Sequence, residues 1–388
     1  MSNPVKNRPV ACERPSDSNG IAKQSAAVCS VQHISNESDF DKLEQDWNAL
    51  HAQHTSASVF TTWHWSRSWW AHYGDSGKLF ILSVRVNGVV RGIAPLYICE
   101  SQVLRLFKLR TLRFIGSGGD TAPDDLDIVY HPSYEAQVMT AICDEIIRIT
   151  HLARIQLTDI PDGSMLIEVL QAATYKVKWS HATCHFQTRL VDELPQTVEQ
   201  YEQQLSRNAR KQMRRRLKRI SQEDNVRFEM CQSEEAIEES FAHLQRLHTL
   251  RRNSKGQTGK FHSQRYSSFH LILMKQLLAR GELSLLRLSI GDKVIGIEYA
   301  FLCKGVMYFF QTGFDPDYQH LSPGHLLMMH SIDNAISNGA HQIDLLKGEY
   351  DYKRTYAKKQ VQSVDMEIWK NPVLGMLARA IQHLRDKN

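Results

Sequence analysis

The run from Tyr308 to Ile336 holds the densest set of residues suited to chemistry. An apolar strand ends near Thr312, a loop of Gly, Asp and Pro follows, and Ser322-Pro323-Gly324 opens a helix with Ser at the N-cap and Pro at the first helical position. Small residues at a helix start leave backbone N–H groups open to a pyrophosphate. An ordinary capped helix that binds nothing is the alternative. Two acids stand in strands nearby. Glu298 lies on the strand face opposite Ile297 and Tyr299, where a base drawing a proton off an amine or hydroxyl could stand. Asp344 sits inside the apolar run 343–346, where burial is costly unless Lys347, Lys353 or an arginine pairs with it. A structural ion pair there weighs at least as much as a general base.

Charge is concentrated in one place. The chain carries a formal charge of +5, yet residues 206–220 alone hold eight Lys or Arg and no acid. On a helix, Ala209, Met213 and Leu217 share one face and the cations cover the rest. A solvated face is one reading. A face paired with acids is another, and repulsion among the cations leaves room for a third, an anionic partner at 207–219 such as coenzyme A phosphates, a sugar nucleotide or RNA. The aromatic stretch Phe60, Trp63, Trp65, Trp69, Trp70, Tyr73 has too many rings for one helical face. Some of them, Trp63 and Trp69 included, are expected to line an acceptor cleft between domains. Lys255-Gly-Gln-Thr-Gly-Lys260 has the wrong glycine spacing for a P-loop and reads as a basic loop.

The elements that must position these residues repeat. Val86-Asn-Gly-Val-Val-Arg-Gly-Ile93 lines up with Ile290-Gly-Asp-Lys-Val-Ile-Gly-Ile297. Each is a period-2 strand, a tight turn and a second strand with glycine at the same offset, followed by helix and strand. The spacing predicts two copies of one α/β unit, with a boundary at Leu194-Pro195. In the second, helix is expected over 198–221, 234–250, 264–280 and 323–338, and strand over 226–231, 306–312, 341–346 and 361–369. In the first, helix is expected over 40–52, 63–73 and 134–150, and strand over 127–130 and 154–159.

Length and composition bound the class. The 388 residues suit two domains, and 42% apolar with 23% charged residues is ordinary for a globular chain. Residues 79–98 approach membrane-span length, but Arg85, Asn87-Gly88, Arg91 and Pro95 interrupt them. Residues 1–30 lack periodicity and a signal core, so a disordered leader and a cytoplasmic protein are expected. Seven scattered cysteines offer neither zinc spacing nor a disulfide framework, and no metal is expected.

The ordered motifs of the second half carry a resemblance. Tyr201 to Leu217 with its arginines, Leu247-His-x-x-Arg-Arg252, Phe261, Phe269 and the Gly296 hairpin come first. Gln311-Thr-Gly-Phe-Asp-Pro316, Ser322-Pro-Gly324, Ile343-Asp-Leu-Leu-Lys-Gly348 and Tyr352-Lys353 follow. Together they resemble the GNAT acyltransferases, specifically the CelD/BcsL type related to the Fem peptidyltransferases. The resemblance implies an α/β (α+β) fold of two tandem GNAT-like units, 31–193 and 194–388, each a mixed, mostly antiparallel sheet flanked by helices. It implies acetyl-CoA or another acyl-CoA held by Gln311, Thr312, Ser322, Pro323, Gly324 and His325. Arg251, Lys347, Tyr352 and Lys353 would face an amine or hydroxyl acceptor, on this analogy a sugar or polysaccharide precursor, and Tyr356 would protonate the departing thiolate. No DNA is expected. The first unit has His131-Pro-Ser-Tyr134 in place of the Ser-Pro-Gly turn, so only the second is expected to hold the donor. Two other readings stay open: an aminoacyl-tRNA donor as in the Fem enzymes, and a non-catalytic module that binds an anionic partner.

Overall fold

The computed structural model describes residues 28–103, 107–348 and 350–385. Most of the expected leader, residues 1–27, lies outside the described residues, whereas Cys29 and Ser30 already belong to a strand. The fold is mixed α/β, with sheets flanked by helices, as the resemblance implied. The strands are β1 (Cys29–Ile34), β2 (Gly77–Leu79), β3 (Ile81–Val86), β4 (Val89–Ala94), β5 (Leu96–Val103), β6 (Phe107–Phe114), β7 (Val129–Tyr130) and β8 (Arg154–Pro161). After them come β9 (Thr183–Glu193), β10 (Val226–Met230), β11 (Leu283–Ile290), β12 (Lys293–Cys303), β13 (Val306–Phe314), β14 (Gln342–Lys347) and β15 (Lys359–Trp369). A four-stranded sheet runs β1-β3-β4-β7. An eleven-stranded sheet runs β10-β11-β12-β13-β14-β9-β15-β8-β6-β5-β2.

The sequence echo is structural. β3 and β4 turn at Asn87-Gly88, both at positive φ, and pair Val86 with Val89 and Val84 with Gly92, with a register shift between. β11 and β12 pair Ile290 with Lys293 and Leu288 with Gly296, with the same shift. The matched glycines have one physical purpose. A Cβ on Gly92 would lie 2.2 Å from Val138 of the Glu135–Arg148 helix, and one on Gly296 would lie 3.0 Å from Leu327 of the Pro323–Ser337 helix. In both halves, glycine lets the following helix close onto the second strand of the hairpin.

The halves differ in how they end. β9 closes the first half in sequence but pairs antiparallel with β14, and β15 pairs with both β9 and β8. The large sheet is therefore continuous across the Leu194-Pro195 junction. The helix expected over 198–221 is broken into Val198–Gln204 and Arg207–Ile220, because Ser206 is extended and its hydroxyl caps the Ala209 amide at 3.1 Å. The helix expected over 40–52 is likewise two helices meeting at Leu43. Among the described residues no helix is long and apolar enough to cross a membrane.

The Trp63–Tyr73 helix packs against the Gln264–Ala279 helix of the other half. Trp65 stands edge-on to Phe269 at 5.2 Å and to Phe60 at 4.8 Å, and Trp69 stacks on Tyr73 at 5.5 Å. Full burial of such side chains stabilises by roughly 1.5–3 kcal/mol each. The aromatic run therefore joins the two halves in a shared core.

Candidate active site

β13 and β14 run parallel but pair only from Val306 to Tyr308. Past that point they separate: β13 carries a register shift opposite Tyr299 and Ala300, and Leu346 in β14 takes φ +57°. A left-handed leucine is strained, and the Asp344 carboxylate holds it by accepting the Leu346 amide at 2.8 Å. Two cavities of about 260 and 300 Å³ open along the separated strands. They share Arg251, Thr312, Met328 and Tyr352, so they form one cleft with two ends.

One end lies at the Pro323–Ser337 helix start. Ser322, Pro323, Gly324 and His325 line it together with Arg216. Ser322 takes the position expected of the N-cap but not its hydrogen bond: it is left-handed, with φ 60°, and its side chain caps nothing. Its carbonyl accepts the amides of His325 (3.0 Å) and Leu326 (3.2 Å). A Cβ on Gly324 would lie 3.6 Å from the Phe314 ring, in ordinary contact, so glycine here keeps the cleft open without being forced by packing. Burial, with Arg216 nearby, pushes the His325 imidazole down to about 4 and keeps it neutral. Its Nδ1 lies 2.6 Å from the Tyr356 hydroxyl.

The other end is basic. His248, Arg252, Lys255, Gln311, Lys347 and Lys353 contribute to it. Gly313 makes it possible, since a Cβ there would meet the His248 amide nitrogen at 2.6 Å; its absence brings the Glu234–Asn253 helix down onto β13. Arg251 then donates to the Thr312 carbonyl at 3.0 Å and stands over Phe314 at 4.8 Å. Gln311 donates to Tyr266 at 3.1 Å. The Lys353 ammonium is buried and donates to the carbonyls of Leu346 and Lys347, both at 2.9 Å; burial lowers its pKa to about 8.

Glu298 is buried behind this cleft. Its Oε2 lies 3.5 Å from the hydroxyl of Thr312, its cross-strand neighbour, and its Oε1 has no hydrogen-bond partner among the described residues. Burial pushes the carboxyl up to about 7, with the Ser331 and Thr312 hydroxyls pulling the other way.

Asp344, Tyr356, Trp63 and Trp69 line neither end of the cleft, and Lys347 lines it with its charge already paired. Asp344 lines neither end: Arg189 donates to its Oδ2 at 2.8 Å and to Asp125 at 2.5 Å. Lys347 lines the basic end but is bound to Asp124 and Asp159 of the first half, so its charge is already paired. Burial raises Asp125 to about 7 and Asp159 to about 6 against the pull of Arg189 and Lys347, respectively. Tyr356 is buried against His325, and its carbonyl accepts the Tyr201 hydroxyl at 3.2 Å. Trp63 and Trp69 belong to the aromatic core, which corrects their assignment to an acceptor cleft. Leu217, expected on the apolar face of the basic helix, is 45% exposed; Met213 and Ile220 are the buried pair.

Sequence reasoning passed over Arg216, Arg252 and His248 as site residues. Arg216 had a signal, three residues beyond buried Met213 on an otherwise solvated helix. Among the described residues no group of three His, Cys, Asp or Glu could hold a metal ion.

Residues 207–354, from the start of the basic helix through Arg354, match the family described as acetyltransferase (GNAT) domain. No curated protein matches the sequence. Among solved structures, FemX is similar at TM-score 0.61 and 12% identity, over 88% of this chain and 98% of that one. A conserved protein of unknown function from Bacteroides thetaiotaomicron is similar at TM-score 0.52 and 9% identity, over 84% and 97%. At such identities the likeness is one of fold.

Proposed function

We propose that the protein transfers an acyl group from an acyl-CoA to an amine or hydroxyl, with the donor lying along β13. The observation that supports this most directly is the single cleft between the separated β13 and β14, with Gly324 lining one end and Lys353 the other. The donor pyrophosphate fits the Pro323–Ser337 helix start, with Arg216 beside it. The acceptor enters from the basic end and attacks the thioester carbonyl. Its surplus proton passes through the Thr312 hydroxyl to Glu298, whose pKa near 7 suits a base at neutral pH. The thiolate leaves toward Tyr352, which lines both ends and replaces the more remote Tyr356 as the proton donor. A sugar or polysaccharide precursor as acceptor rests on the CelD/BcsL resemblance alone.

A second donor is favoured by one observation. Arg207, Lys211, Arg214, Arg215 and Lys218 are exposed and make no ion pair among the described residues, while Arg216 of the same helix reaches the cleft. A donor with a polyanionic body, such as an aminoacyl-tRNA, would use such a surface. Calorimetry with acetyl-CoA, longer acyl-CoAs and tRNA tests both: saturable acyl-CoA binding without tRNA binding is expected, and the reverse overturns the preferred reading.

A further inference from the structure

Serine inside a helix ordinarily donates its hydroxyl to the carbonyl four residues back, as Ser337 does to Asp333 at 2.8 Å. Ser331 of the same Pro323–Ser337 helix is buried, and its Oγ makes no hydrogen bond among the described residues. Glu298 Oε1 is buried and unbonded as well. A buried polar atom without a partner is costly, and two on facing elements call for a reason. Packing brings them together. Gly296, Glu298 and Ala300 share one face of β12, because successive strand residues point to opposite sides. Leu327, Ser331 and Ala335 form one ridge of the helix at four-residue spacing. Gly296 lies against Leu327, and Ala300 packs in the same core cluster as Ala335. Two strand residues advance about 6.6 Å and four helical residues about 6 Å, so the rows stay in step and Glu298 falls opposite Ser331. Of the two hydroxyls that oppose burial at this carboxyl, Ser331 acts more strongly than Thr312.

We infer that Ser331 is a positioning residue for the proposed acyl transfer: its hydroxyl donates to Glu298 Oε1 when the carboxylate forms, and so keeps Oε2 aimed at Thr312. A hydrogen bond to the ionised oxygen is about twice as strong as one to the neutral acid. Ser331 is available to make it because its own helix does not engage its hydroxyl. The inference deepens the reading of Glu298 as the base and rests on it. β11 faces Glu298 with Leu286 and β13 with Thr312. Tyr352 and Tyr356 feel its charge, and burial keeps both phenols neutral.

The test follows the Glu298 carboxyl by NMR of the full chain labelled at the glutamate side-chain carboxyls, its signal being the one that Glu298→Gln removes. In Ser331→Ala, which deletes only the hydroxyl oxygen, the titration should move to higher pH by about one unit. The rise of turnover with pH should move with it, while the KM for acetyl-CoA stays unchanged. A titration that stays in place or moves to lower pH overturns the inference. If Glu298→Gln keeps full turnover, the base reading fails separately, and the carboxyl titration still decides whether Ser331 holds Oε1.

Discussion

Arg189 of β9 and Asp344 of β14 meet at 2.8 Å across the junction between the two halves, and Asp125 closes the group from a third segment. Buried Asp344 and partly buried Asp125 share one guanidinium, and Asp344 also holds the left-handed Leu346. Asp344→Asn should therefore act on stability. Removing one partner of a buried pair costs roughly 3–5 kcal/mol. A melting temperature several degrees lower, with acetyl-CoA affinity retained by the folded fraction, is the expected result; a stable but inactive variant would return Asp344 to the chemistry.

Glu298→Gln should do the opposite. A missing general base lowers turnover by roughly 10²–10⁴-fold while acyl-CoA affinity holds. The pH dependence follows from the raised pKa. Wild-type activity should climb with pH to a plateau above about 7, where the carboxylate is free to accept a proton. Stability runs the other way: the neutral buried acid contributes fully below its ordinary 4.5, and that contribution is lost as pH rises through about 7. Thermal melts between pH 5 and 8 should show this slope in the wild type and a flatter one in Glu298→Gln.

Gly324→Trp probes the donor mouth. The space over Gly324 is free to the Phe314 ring, so the indole fits the fold and fills the cleft. Acetyl-CoA binding should disappear with the melting temperature nearly unchanged. Retained affinity would place the donor elsewhere.

Charge reversal at Arg214 and Arg215 separates the two donors. Both are exposed, and neither lines the cleft. Acyl-CoA affinity should change less than threefold when both become Glu. Loss of a salt-dependent tRNA interaction, its slope flattening by roughly one unit per lost phosphate contact, would instead favour the nucleic-acid donor.

Much of the fold was legible because it repeats. The Gly92 and Gly296 hairpins, the helix that starts at Pro323 and the amphipathic helices announce themselves by short-range spacing. The β5–β6 hairpin and β9 went unread, and so did the helices Met165–Lys176 and Pro372–Arg385. The polar alternation of β9 has no meaning until its distant partners β14 and β15 are known. The site divided the same way. Ser322 to His325 could be found from local pattern, whereas the roles of Asp344 and Lys347 depend on Arg189, Asp124 and Asp159, which lie 155 and more residues away in sequence. Trp63 and Trp69 were misplaced because a helix with rings on every side faces two cores at once, and sequence shows only the rings.

The crossing of β9 and β15 has an evolutionary reading. A duplicated unit is normally free to drift or be deleted, because its twin keeps working. Here each copy supplies the strand that closes the other's sheet, so neither is spare. β14, which walls the cleft of the second half, has β9 of the first half as its outer neighbour. The two halves should therefore melt in a single step.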